Sequence, residues 1–297
     1  MKSDMADIEQ YRREHPMDYI KAIEILNISS NKDEVFRWIY QITRLHIRDV
    51  LYKYVSLTDD ENLNNLKMQT LSEQKIFLAD SRDFNDPFDN KAFYYRNEEL
   101  KQFDELRPFD GRLGDEIMFN SRAASLSAAG FNSMPMWAHY ANNHKGFCIA
   151  YNMNEADNLN LKSSTLPIQY TDKRVDITDI MVKTVDYILK QKHLQMSQGS
   201  KRILIDDLMI VYTTVFLQNI KQSSWQYEME FRCSAGNTSI GMPFIKAKPF
   251  EIYVGEKCTP IHFDNLFKIS HELKVPLYKL EFKEVNSAYQ LKPKRIN

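Results

Sequence analysis

Trp225-Gln226-Tyr227-Glu228-Met229-Glu230-Phe231-Arg232 alternates in character along its length. Read as a strand, it puts Glu228, Glu230 and Arg232 on one face and Tyr227, Met229 and Phe231 on the other. The position of this strand decides the fold class, because two helical patterns precede it. They span 176–197 and 201–222 and are parted by Gln198-Gly199-Ser200. The second is strongly apolar, with Ile203, Ile205, Leu208, Met209, Val211, Tyr212, Val215, Phe216 and Ile220. The strand itself is expected over about 226–234. Further strands are expected at about 249–255 and 277–283, with a helix from Pro260 to Leu273 between them.

Upstream, Gly146-Phe147-Cys148-Ile149-Ala150-Tyr151 reads as a strand. So do Leu166–Tyr170, Ala123–Ser127, Lys75–Ala79 and Val50–Val55, with a short helix from Asn62 to Leu71. Residues 1–50 read as helical. Val35, Trp38, Ile39, Ile42 and Leu45 recur at helical spacing, and Asn31 to Asp33 supply candidate caps. The order is helices, strands, a helical insertion and strands again. That is an α+β chain with a central mixed or antiparallel core, not a regularly alternating parallel sheet. It implies an N-terminal helical extension at 1–49, and an α+β domain at 50–297 with a helical insertion at about 176–222.

Composition narrows the function classes. A net charge of −1 gives no global footprint for nucleic acid or an anionic membrane. The N-terminus is polar and lacks the apolar core of a secretory signal. Three widely spaced cysteines, with no CxxC pair, argue against a disulfide framework and a cysteine-rich zinc site. The expectation is a cytoplasmic protein with no membrane partner. Glycine is sparse, at 8 residues, and neither GxxxxGK[ST] nor GxGxxG occurs. HExxH and GxSxG are absent too.

Four constellations can carry chemistry. Tyr52-Lys53-Tyr54, at a strand end, puts the tyrosines on one side and the lysine on the other. They are either a half-buried face with a solvated lysine, or groups at a pocket mouth. Phe84-Asn85-Asp86-Pro87-Phe88-Asp89 is either a rigid turn held by local hydrogen bonds, or a loop that aims Asn85 or Asp86 at a ligand. Trp137, His139, Tyr140 and His144 crowd the stretch before the strand at 146–151 and suggest a pocket. A zinc site from His139 and His144 lacks an evident third ligand. In Trp225–Arg232, carboxylates about 7 Å apart on one strand face suit acid/base or cation-stabilising work. Arg232 on the same face offers an ion pair instead, and an exposed Glu/Arg stripe on an edge strand is the bland alternative.

The motifs LYKY, FNDPFD, MWxHYxxxHxGFC and WxYExExR, in this order, resemble a widespread bacterial family catalogued only as a domain of unknown function. The resemblance covers about residues 50–255 and leaves out 1–49. More distantly, the layout is similar to the ADP-ribosyltransferase superfamily. There a first strand ends in a His, Arg or Tyr motif, a middle strand carries Ser or Tyr, and a late strand carries a Glu, often as Glu-x-Glu. The chain departs from that pattern: it has no Ser-Thr-Ser motif in the middle, and Lys53 rather than Arg is the nearby cation.

The resemblance implies an ADP-ribosyltransferase-like core that consumes NAD as substrate. Glu230 would stabilise the oxocarbenium-like transition state, and Glu228 would deprotonate or orient the acceptor. Tyr52 or Tyr54 and His139 or Tyr140 would grip nicotinamide and ribose, with Lys53, Asn85, Asp86 and Trp137 nearby. The implied role is a bacterial toxin or anti-phage effector that modifies nucleic acid or protein, with an antitoxin or regulatory partner. Two other readings stand beside it. One is a metal-dependent nuclease or phosphodiesterase using Asn85, Asp86, His139 and the two glutamates. The other is a non-catalytic module that binds a nucleotide or protein.

Overall fold

The computed structural model describes residues 2–29, 31–80, 83–84, 86–89, 91–112, 121–201, 208–236, 243–282, 289 and 291–297. Along the chain come helices α1 (Lys2–Glu14), α2 (Tyr19–Ile28) and α3 (Lys32–Leu45) and strand β1 (Val50–Val55). Helix α4 (Glu61–Ser72) follows, with short strands β2 (Lys75–Phe77), β3 (Ala79–Asp80) and β4 (Phe93–Tyr94) and helix α5 (Asn97–Leu100). Then come β5 (Ser121–Ser127), α6 (Met134–Tyr140), β6 (Phe147–Asn152), α7 (Leu159–Ser163), β7 (Thr165–Pro167), β8 (Gln169–Thr171) and β9 (Val175–Asp176). Helices α8 (Thr178–Ser197) and α9 (Leu208–Leu217) lead to β10 (Ile220–Gln222) and a 3-10 turn, Ser223–Glu228. Strands β11 (Glu230–Gly236), β12 (Phe244–Lys246) and β13 (Glu251–Val254), helix α10 (Pro260–Leu273), and strands β14 (Leu277–Glu281) and β15 (Lys292–Arg295) complete the chain. No described helix is long and apolar enough to cross a membrane.

The chain divides into two compact units: residues 1–46, 81–120 and 169–223 form one, and 47–80, 121–168 and 224–297 the other. The N-terminal helices and the helices after Gln169 thus belong to the same unit.

The second unit is built on one mixed sheet. Its strands run β15-β14-β13-β6-β1-β5-β11-β7, and β3 also pairs with β5. Neighbours are antiparallel except β13 and β14, which are parallel. Helix α10 makes the crossover that a parallel pair requires. Leu51, Leu126, Ile149, Phe231 and Ile252 fill one face, packed with Met68 and Leu71 of α4 and Leu266 of α10. Asp60 caps α4, Thr259 caps α10, and Pro260 stands in the first turn of α10 where its missing N–H is harmless. The other face carries Tyr54, Cys148, Ala150, Tyr253 and Leu280, packed with Met136 and Trp137 of α6. The first unit is mainly helical. Tyr19, Ile23 and Leu26 of α2 pack with Phe36 and Ile39 of α3, Met181 and Val185 of α8, and Phe216 of α9. Asn31 caps α3 as expected, accepting from the Glu34 N–H and donating to its carboxylate.

Three sequence expectations change. The strand expected at 226–234 starts only at Glu230, and Ser223–Glu228 coils into the 3-10 turn. Its partner β5 ends at Ser127, which pairs with Glu230; the Ala128 N–H still donates to the Met229 carbonyl at 3.0 Å, and the left-handed backbone of Met229 ends the extended run there. Alternation alone does not make a strand without a neighbour. The helix expected at 201–222 ends at Leu217, and Ile220–Gln222 instead pairs in parallel with β8. Residues 202–207 of that expectation lie outside the described residues. The strand expected at 166–170 breaks at Ile168: β7 joins the large sheet and β8 pairs with β10.

Candidate functional site

Register on one sheet face brings the chemistry together. Tyr52 of β1 stands opposite Ser127 of β5, and Ser127 stands opposite Glu230 of β11. Ser125 stands opposite Arg232. Directly opposed residues share a face, as do residues two apart on a strand. Tyr52, Ser125, Ser127, Glu230 and Arg232 therefore line one side of three adjacent strands.

Glu230 and Arg232 form a buried ion pair, with side chains 2% and 1% exposed. Arg232 donates to Glu230 Oε1 from Nη2 at 3.0 Å and from Nε at 3.2 Å. Ser125 Oγ donates to the same oxygen at 2.6 Å. Charges this deep are tolerated because the geometry is close and hydrogen bonds surround them. Ser125 itself is exposed, so a single hydroxyl lies between the carboxylate and solvent. The exposed Glu/Arg stripe on an edge strand does not occur, since β11 is flanked by β5 and β7.

Glu228 precedes the strand and is also buried. The Tyr140 hydroxyl, at the last residue of α6, donates to its Oε1. Ser127 Oγ donates to the Glu228 carbonyl at 2.6 Å and accepts from the Ala129 N–H at 3.0 Å. Around this carboxylate lies a row of partly exposed rings. Centroids are 6.4 Å apart for His139 and Tyr140, 6.0 Å for His139 and Tyr227, and 6.2 Å for Trp225 and Tyr227.

The remaining expected residues divide between surface and scaffold. Tyr52 is half-buried, its ring 6.4 Å from that of Tyr253. Burial first, then Cys148 and Glu251, push its phenol pKa up. Lys53 lies on the opposite sheet face, as the alternation requires, but it is half-buried rather than solvated. Burial lowers its pKa, while Cys233 and Glu230 pull it back up. Tyr54 is buried against α6, and Trp137 is a buried residue of that helix. Tyr54 donates to the Gly130 carbonyl at 2.5 Å and meets Trp137 edge-on at 5.2 Å. Burial drives its phenol pKa far up. Asp86 belongs to the other unit, and Asn85 lies outside the described residues. Among the described residues, no group of three His, Cys, Asp or Glu side chains is placed to hold a metal ion. That covers the His139 and His144 pair considered for zinc.

Residues 136–233 match the model of a family described as a protein of unknown function (DUF2971). The matched segment contains the third and fourth sequence motifs, and with them Tyr140, Glu228, Glu230 and Arg232. Tyr52, Ser125 and Ser127, which complete the site, precede it. No curated protein and no solved structure matches the chain.

Much of the histidine-rich motif in the matched segment is scaffold. Trp137 Nε1 donates to the Phe131 carbonyl at 2.7 Å, and its ring stacks on His144 at 5.7 Å with an 11° tilt. Asn142, Asn143 and His144 all have left-handed backbone, with φ of 47°, 53° and 70°. This turn joins the end of α6, where Tyr140 stands, to β6.

Sequence reasoning missed Ser125 and Ser127. The signal was present, because Ser125-Leu126-Ser127 alternates polar and apolar on an expected strand. Only register shows that this face meets the glutamates. The middle strand lacks Ser-Thr-Ser, but its Ser-Leu-Ser places both hydroxyls on the glutamate-bearing stretch.

Met229, between the two glutamates, has φ of 44° and is 45% exposed. Left-handed backbone disfavours a bulky residue by roughly 1–2 kcal/mol, while glycine loses about 0.5–1 kcal/mol through unfolded-state entropy. Met229→Gly is therefore expected to gain about 0.5–1 kcal/mol in urea unfolding. A loss greater than that would mean the exposed thioether makes packing contacts that matter.

Proposed function

We propose that this chain is an NAD-consuming ADP-ribosyltransferase-like enzyme, with its core strands arranged in the manner of that superfamily and Glu230 facing the reacting ribose. The observation that carries the reading is the contact of the exposed Ser125 hydroxyl with the buried, arginine-bound carboxylate of Glu230. Breaking the nicotinamide–ribose bond sends its electron pair to nicotinamide and leaves positive charge on the sugar. A carboxylate held ionised and immobile in a poorly solvated site stabilises that charge without reorganising. Arg232 keeps Glu230 in place, and Ser125 marks where a ribose hydroxyl comes within reach. The acceptor attacks the sugar carbon and gives its proton to Glu228, whose carboxylate Tyr140 orients.

Nicotinamide release from NAD tests this reading. Glu230→Gln is expected to lower turnover by on the order of 10²-fold or more. Tyr140→Phe should weaken transfer to the acceptor more than it weakens NAD cleavage. Each variant is compared only at temperatures where circular dichroism shows it folded, since Glu230→Gln also removes a partner from Arg232. Growth arrest on expression, relieved by Glu230→Gln, is the cellular counterpart expected of a toxin. The occupied state of Glu230 also favours a second reading, a nucleotide-binding module with a purely structural ion pair. It predicts stabilisation by NAD with no nicotinamide formed, and that outcome would overturn the enzyme assignment.

A further inference from the structure

The turn Asp86–Asp89 takes no part in the reaction proposed above, yet it holds a poorly satisfied carboxylate. Asp86 and Asp89 are 6% and 7% exposed. Asp86 Oδ1 accepts from the Phe88 N–H at 2.9 Å, whereas its Oδ2 is buried with no donor. Asp89 faces the buried Lys221 of β10, with Oδ2 3.9 Å from Nζ. Two residues before Lys221, in the turn that enters β10, Asn219 is 1% exposed. Its amide N–H donates to the Val215 carbonyl at 2.7 Å, but its Oδ1 is also buried with no donor. All of these residues belong to the first unit.

Buried acceptors without donors are rare because they forgo water and receive nothing in return. Here two fall on the chain segments that Asp89 and Lys221 join. Lys221 offers its charge to Asp89, so the unmatched need is at Asp86. We propose that the 86–89 turn and the entry to β10 form a binding site for a small organic cation with N–H donors, of the ammonium or guanidinium class. Asp86 is its carboxylate partner, and Asn219 Oδ1 is a second, neutral acceptor. The lack of a third converging acid or histidine among the described residues favours an N–H donor over a metal ion. A charged N–H donor satisfies a carboxylate more strongly than water does. The same head group can come from a free amine or from a lysine or arginine side chain of a peptide.

Thermal unfolding of the full-length protein tests this at constant ionic strength, with methylammonium and methylguanidinium chloride as probes. Tetramethylammonium, which has no N–H, and sodium are the controls. A saturable rise in Tm is expected with the two N–H probes and not with the controls. Asp86→Asn is expected to abolish it, and Asn219→Leu to shift its midpoint to at least tenfold higher probe. Blocked lysine and arginine amides, run alongside, assign the source: tighter binding than the free amines points to a peptide side chain. No saturable rise in wild type would leave ordered water as the occupant and overturn the proposal. A rise unchanged in Asp86→Asn would overturn it equally. Should Asp86→Asn fail to fold, Asn219→Leu decides on the same readout, and an unchanged midpoint refutes the site.

Discussion

Arg232→Met is expected to destabilise the protein by about 3–5 kcal/mol, the range for removing one partner of a buried ion pair. The reason lies in what remains. Glu230 is 2% exposed on its side chain, and Arg232 supplies two of its hydrogen bonds. Without the guanidinium, a buried carboxylate keeps the Ser125 hydroxyl but loses its cation. Removing both charges together, as Glu230→Met with Arg232→Met, should recover most of the loss, because apolar side chains of similar volume suit a dry site. Urea unfolding of the four proteins in the cycle gives the coupling directly, expected at about 2–3 kcal/mol. If Arg232→Met stays within about 1 kcal/mol of wild type, water reaches the pair. A hydrated Glu230 would also stabilise a sugar cation less. The cycle thus bears on the proposed chemistry without measuring turnover.

The α+β class and most of the large sheet were legible because their signals are local. The strand at 146–151 and the helices over 62–71 and 260–273 follow from short apolar runs and from periodicity, and the candidate cap at Asn31 marks where α3 begins. The glutamate strand was legible only from Glu230 onward. Its earlier alternation was real, but whether it pairs depends on where β5 ends, and that is a long-range fact. The same limit hid Ser125 and Ser127, whose meaning comes from register with β11. It also misassigned Ile220–Gln222, which follows the apolar run of α9 but pairs instead with β8, far upstream in sequence. Glu228 shows the converse: it leaves the strand face on which alternation put it, yet it stays beside the site because Tyr140 holds it.

Gly146→Ala is the second large effect expected, a loss of about 3 kcal/mol or more. A Cβ at this position would lie 2.0 Å from the Val55 carbonyl oxygen and 3.1 Å from its carbon. Both are backbone atoms, so no rotamer change relieves the clash. Val55 pairs with Phe147 at the end of the β1–β6 ladder, and those strands must separate to make room. The same movement pulls on the turn before Gly146. That turn is tied to α6 by the Gly146 N–H to Ala141 at 2.9 Å and the His144 N–H to Trp137 at 3.3 Å. Asn143→Gly, three residues earlier, is the control. It relieves a left-handed φ of 53° and is expected to leave stability unchanged or raise it by up to about 1 kcal/mol. Thermal unfolding separates the two, and a Gly146→Ala variant as stable as wild type would disprove the close approach. Folded Gly146→Ala, examined below its lowered Tm, should also lose the Tyr140–Glu228 contact faster than the Glu230–Arg232 pair. The first is made from the end of α6, to which the turn is hydrogen-bonded, and the second is made within one strand. A histidine-rich motif that reads from sequence as a pocket would then act at one remove, as the bracket that sets one tyrosine against one glutamate.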